Sequence, residues 1–172
     1  RRLADLPRAV PFAAGAEIPI LGQLHVIRHA PGARRGVWRE GGAILVSGDP
    51  EFLPRRVADF LKREAKHEIQ ARAQAKAALL PGKARPLRRV ILRDTRSRWG
   101  SCAQSGDLSF SWRLILAPDF VCDYVVAHEV AHLAEMNHGP RFWRQVGALT
   151  GSVSEAKAWL RREGAGLHRY GV

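Results

Sequence analysis

His128-Glu129-Val130-Ala131-His132, followed six residues later by His138, is the stretch on which the reading of this 172-residue chain turns. A helix over the flanking run from Pro118 to Met136 puts His128 and His132 on one face, roughly 6 Å apart, which suits two ligands of one tetrahedral metal. Glu129 then lies beside the metal and not on it. A zinc ion with three protein ligands keeps its fourth position open and lowers the pKa of a water there to about 7, so a neighbouring carboxylate is placed as a general base. HExxH also arises by accident in soluble chains, so the rest of the sequence has to agree with it.

His138 can join the other two only if the helix stops first, because six more helical residues would turn it through about 600° onto another face. The sequence offers that stop: Asn137 is expected to take a left-handed cap conformation, and Pro140 cannot continue a helix but can begin one. The spacing of the second and third histidines equals that of the metzincin signature, yet Glu135 stands where that signature has glycine. The sole methionine, Met136, leaves none for a Met-turn, so the chain is not a metzincin. No lysine or arginine occurs between Arg113 and Arg141, where Asp119, Asp123, Glu129 and Glu135 fall. Asp119 and Asp123 are expected to be surface partners of a helix dipole, and Glu135 a solvated helix-end carboxylate able to orient a histidine.

With 46% hydrophobic residues and five tryptophans, the chain is expected to form one domain over 1–172. Cys102 and Cys122 are too few for a disulfide framework and are read as free thiols. No apolar stretch reaches the roughly 18 residues of a membrane span, and Arg1 to Glu17 lacks the apolar core of a signal peptide, so a soluble cytoplasmic protein is expected. The net charge of +12 is uneven: residues 54–100 carry fourteen Lys/Arg against four Asp/Glu, a net of +10. That excess favours DNA or another polyanion as a partner, with a solvated cationic helix face as the plain alternative.

The fold class expected is α+β. Short strands read over 18–48 form an antiparallel meander, with Gly41-Gly42 as a hairpin signal. Asp49-Pro50 opens a backing helix over about 50–80, whose Val57, Phe60, Leu61, Ala65, Ile69, Ala73 and Ala77 recur at helical spacing. Strands at Leu87–Asp94 and Leu108–Leu116 are expected to pair antiparallel across a polar loop. The metal helix and two further helices fill 118–163, the last with Ser152 and Glu155 at capping-box spacing. Trp99 and Cys102 are read as packing residues, and Gly100 as permitting a tight turn.

Arg98-Trp99-Gly100-Ser101-Cys102, the run Leu108 to Leu114, Ala117-Pro118, Tyr124 to Glu129, and Asn137-His138-Gly139-Pro140-Arg141-Phe142-Trp143 together resemble the YgjP-like metallopeptidase family. The resemblance implies a compact zincin-like fold, one zinc ion held by His128, His132 and His138, and Glu129 as general base. SprT-like proteases, which act on DNA-linked proteins, are more distantly similar. A peptide substrate is expected to meet Arg98 and the strand residues Ser109, Phe110 and Ser111 by adding as a strand. Two other functions remain open at this stage: a metal-dependent nucleotide phosphoanhydride hydrolase, and a nucleic-acid-binding module with a structural zinc.

Overall fold

A 25-residue helix, α1 (Leu53–Ala77), runs behind two sheets and packs against the helix that carries His128 and Glu129. The computed structural model describes residues 8–171; the outer bounds of the expected 1–172 domain, and part of the segment screened for a signal peptide, lie outside the described residues. Of the seven apolar positions expected along α1, six are buried and Ala77, at its end, is half-buried. Asp49 accepts a hydrogen bond from the Glu51 N–H (2.9 Å) and, with Pro50, starts the short 3-10 turn Pro50–Phe52 that leads into it. Among the described residues, no helix is long and apolar enough to cross a membrane.

Strands β1 (Glu17–Ile20), β2 (Gln23–His29), β3 (Val37–Glu40) and β4 (Ala43–Val46) form one sheet in the order β1-β2-β4-β3. This is not the expected meander, because β2 and β4 are parallel, with Val26 opposite Ala43 and His29 opposite Val46. Residues 30–36 carry the chain past β4 instead of making a tight turn. Ser47 pins that crossing, its hydroxyl accepting from the Gly36 N–H (2.9 Å) and donating to the Gly36 carbonyl (2.8 Å). Gly41 and Gly42, both at positive φ, close the β3–β4 hairpin as expected.

The second sheet contains β5 (Arg89–Arg93), β6 (Gly100–Cys102) and β7 (Asp107–Ser111) in the order β5-β7-β6. Here β5 and β7, expected to be antiparallel, run parallel. The antiparallel partner of β7 is β6, which forms inside the supposed loop. Gly106 makes that hairpin: at φ +91° its backbone passes so close to Pro86 that a Cβ would lie 2.4 Å from the Pro86 carbonyl oxygen. The strand expected to reach Leu116 ends at Ser111, whose hydroxyl accepts from the Arg113 N–H (3.2 Å) and bends Trp112–Leu116 into a 3-10 coil. The result is an α+β fold with two small mixed sheets, and β7 is internal to its sheet.

Three helices complete the chain: α2 (Asp119–Ala131), α3 (Pro140–Leu149) and α4 (Val153–Glu163). Asp119 and Asp123 are more than dipole partners of α2. Arg72 reaches both, Lys76 donates to Asp123 (3.0 Å) and to the Leu149 carbonyl (2.7 Å), and Thr150 donates to Asp123 (2.6 Å). This network, partly open to solvent at Asp119, ties α1, α2 and the end of α3 together and so fixes the pose of α2. The capping box at Ser152 does not form; Ser152 is left-handed (φ 50°) and its side chain bonds no backbone N–H of the helix.

Candidate metal centre

The last turn of α2 carries the first two histidines. Helix α2 ends at Ala131, five residues earlier than the expected run, and His132 is its C-cap, still in right-handed helical backbone (φ −65°, ψ −16°). The residue four positions on from His128 therefore keeps its place on the same face. His138 comes back on the turn before α3, which starts as expected at Pro140 after Gly139. The candidate ligand nitrogens of His128, His132 and His138 all lie within 4.8 Å of one another, and the Nε2 atoms of His132 and His138 are 3.0 Å apart.

The donor set fits a divalent metal. His132 Nδ1 donates to the Glu135 carbonyl (3.0 Å), which leaves Nε2 with its lone pair facing the cluster. Burial lowers the His132 pKa below 6.5, which favours that neutral, ligating form. Two ligand atoms on one tetrahedral zinc lie about 3.3 Å apart, close to the separation found. Among the described residues no cysteine or carboxylate joins the three nitrogens in this cluster. It is the backbone carbonyl of Glu135, and not its carboxylate, that orients a histidine.

Glu129 is 6% exposed, and its Oε2 lies 3.2 Å from His128 Nδ1, beside the histidine cluster. Phe142 packs beneath the three rings, stacked on His132 (4.4 Å, 21°) and 5.0 Å and 4.9 Å from the His128 and His138 ring centres. It limits access of water from behind the site. The open side is a cleft lined by Arg98, Gly100, Ser101, Cys102 and Met136 together with Glu129 and the histidines. Cys102 keeps a raised thiol pKa, chiefly through burial.

Of the expected substrate contacts, Arg98 lines this cleft. Phe110 does not: it is 1% exposed and belongs to the core, while Ser111 is buried as the cap of the 3-10 coil. Ser109 pairs on both sides, with Ile91 and Ser101, so β7 has no free edge to offer a peptide. The free edge at the metal site is β6. His25 and His29, outside the histidine cluster, bond the backbone carbonyls of Gln23 (2.8 Å) and Gly48 (2.6 Å).

Two residues of the site are not apparent from sequence. Gly100 makes no tight turn; it lies in β6 because Glu129 leaves no room, a Cβ there falling 2.8 Å from Glu129 Cγ and 3.1 Å from Oε2. Arg85 replaces Asn137 as the stop for α2. Leu21 and Ser152 are the non-glycine residues at positive φ among the described residues, so Asn137 makes no left-handed cap. Instead Arg85 donates to the His132 carbonyl (2.7 Å) from its guanidinium and to the Leu133 carbonyl (2.8 Å) from its N–H. The same guanidinium holds the Ala103 (3.0 Å) and Gln104 (2.6 Å) carbonyls, locking the metal turn to the β6–β7 hairpin. A single arginine among fourteen cations gives no sequence signal for this.

A family match makes the chain a metallopeptidase, and the three clustered histidines could hold the metal ion that such an enzyme needs. The chain matches the family described as YgjP-like, metallopeptidase domain, over residues 1–163, and it belongs to that family. Among solved structures it is similar to the crystal structure of the metallopeptidase zymogen of Pyrococcus abyssi abylysin, at 19% identity and a TM-score of 0.44, over 62% of this chain and 98% of that one. No curated protein matches. The assignment rests on the family match.

Proposed function

We propose that the chain hydrolyses peptide bonds with one zinc ion held by His128, His132 and His138 and with Glu129 as general base. The observation that carries this is the facing pair of Nε2 atoms on His132 and His138 at 3.0 Å, with the His132 tautomer set by the Glu135 carbonyl. At that separation a neutral His138 can share an N–H···N hydrogen bond with His132, and with both nitrogens deprotonated the pair can hold a cation between them. When bound, zinc supplies Lewis acidity: it acidifies a water and polarises the scissile carbonyl. Glu129 takes the proton of the attacking water and returns it to the leaving amine. Phe142 keeps bulk water from the far side of the imidazoles, and the Arg85 lock holds the ligand turn still.

The substrate backbone pairs with the free edge of β6, antiparallel or parallel, so that Ser101 and Cys102 read main chain more than side chain. Arg98 at the rim favours a carboxylate on the substrate. The test is digestion of a peptide library by zinc-loaded protein and by Glu129→Gln, with zinc measured in both. One zinc per chain in each, and a loss of about 10²–10⁴-fold in rate in the variant, is expected for a general base. Full activity in Glu129→Gln would remove the assigned base, and turnover of nucleoside triphosphates without any peptide cleavage would replace the reaction.

A further inference from the structure

The cationic stretch 54–100 is not neutralised evenly by the fold. Arg72 and Lys76 are spent on Asp119 and Asp123, and Arg88 and Arg89 share Asp107 (3.7 and 3.0 Å). Among the described residues, Arg63 and Lys66 on α1 and Arg93 on β5 have no carboxylate within 4.0 Å. Arg63 and Lys66 are neighbours on α1, and Arg93 lies outside the grooves they line. A groove of about 630 Å³ runs between α1 and the outer edge of β5, with Lys66, Gln70 and Gln74 on one wall, Arg88 and Arg89 on the other, and an apolar remainder of Ala77, Leu87 and residues 90–92. Lys66, Gln70 and Gln74 recur every four residues, so they form one stripe along the helix. On the other side of that stripe a second groove, of about 470 Å³, adds Arg63 and His67.

Two features decide what this surface accepts. The β5 edge is unsuited to an added peptide strand, because the Lys66 ammonium already occupies the outward carbonyl of Val90. No phenylalanine, tyrosine or tryptophan lines either groove, so unstacked bases have no platform. We infer that the α1–β5 groove binds the phosphate backbone of duplex nucleic acid, without reading bases. Phosphates meet Arg63 and the donors that Lys66, Arg88 and Arg89 keep beyond the Val90 carbonyl and the shared Asp107, and Gln70 and Gln74 supply neutral donors. The strand order β5-β7-β6 sets this groove and the metal-site edge on opposite margins of one sheet. Duplex and peptide therefore bind together instead of competing.

Binding is best measured by fluorescence anisotropy of a short labelled DNA duplex on the Glu129→Gln protein, so that failure of the peptidase assignment leaves the result readable. Between about 50 and 200 mM salt the log–log slope is expected near −3, from about 0.9 per neutralised phosphate and three to four phosphates. Charge reversal on the helix wall (Arg63→Glu with Lys66→Glu) and, separately, on the strand wall (Arg88→Glu with Arg89→Glu) will each weaken binding about tenfold or more. Arg161→Glu with Arg162→Glu on α4 will leave it within about twofold, and saturating duplex will leave the parent protein's peptide cleavage in place. Undetectable binding at low salt, an equal loss in the α4 variant, or tighter binding of single-stranded DNA or polyglutamate would overturn the inference.

Discussion

Replacing Gly100 by alanine will displace Glu129 while leaving the metal ligands where they are. The new Cβ would lie 2.8 Å from Glu129 Cγ, 3.1 Å from Oε2 and 3.2 Å from Phe110 Cδ1. Non-bonded carbons settle at about 3.5–4.0 Å, so roughly 0.7–1.2 Å has to be taken up. Phe110 is 1% exposed within the core and cannot withdraw, whereas the Glu129 carboxylate borders the open cleft and can. A displacement near 1 Å at a reacting group costs on the order of 10²-fold, about 2.7 kcal/mol on the barrier. Any backbone shift adds about 1–3 kcal/mol of lost stability, visible as a lower Tm. Steady-state kinetics on a peptide found by library digestion, with zinc content in parallel, reads the effect: kcat falls, while KM and bound zinc hold. A double-mutant cycle with Glu129→Gln then tests the route, since the alanine should add little once the base is gone. Unchanged kcat in Gly100→Ala, or an undiminished 10²-fold loss on top of Glu129→Gln, would refute the steric argument.

Arg85→Ala removes the lock between the metal turn and the β6–β7 hairpin; a loss of about 2–3 kcal/mol in stability and about tenfold weaker zinc binding are expected, by thermal melting and chelator competition. Arg85→Lys, unable to span both carbonyl groups, will recover only part. Burial lowers the pKa of His168, stacked on Trp99 (5.3 Å, 23°), below its ordinary 6.5, with Arg113 and Arg96 adding to the effect. The unfolded chain therefore takes up a proton before the folded one does, and stability present above about pH 6.5 is lost as pH falls below it. His168→Phe keeps the stack and will flatten that part of the Tm-against-pH curve; an unchanged slope would show that His168 does not contribute. Burial pushes the Cys122 thiol up to about 12, so alkylation of the native protein at mildly alkaline pH will reach Cys102 alone, and Cys122 only after unfolding.

The helices could be read from the chain because their evidence is local. Val57 to Ala73 announce α1 through spacing alone, and Pro140 announces α3. The strand directions could not. Whether β5 meets β7 parallel or antiparallel depends on where the residues between them go, and three of those, Gly100–Cys102, fold back as a strand of their own. Asp119 and Asp123 misled in the same way: a carboxylate at a helix start looks like a dipole partner until Arg72 and Lys76 arrive from about 47 to 51 residues away.

By itself, the sequence determined the family, the α+β composition and the three imidazoles with their neighbouring carboxylate, since one helical turn and one chain reversal suffice to bring His128, His132 and His138 together. Tertiary structure alone decided that β6 and not β7 borders the cleft, that Phe110 is core, that Arg85 ends the metal helix, and that Gly100 yields its side-chain space to Glu129. Periodicity and capping report on contacts within a turn or two, whereas these four features rest on contacts between residues 10 to about 50 positions apart, whose geometry exists only once the loops have closed.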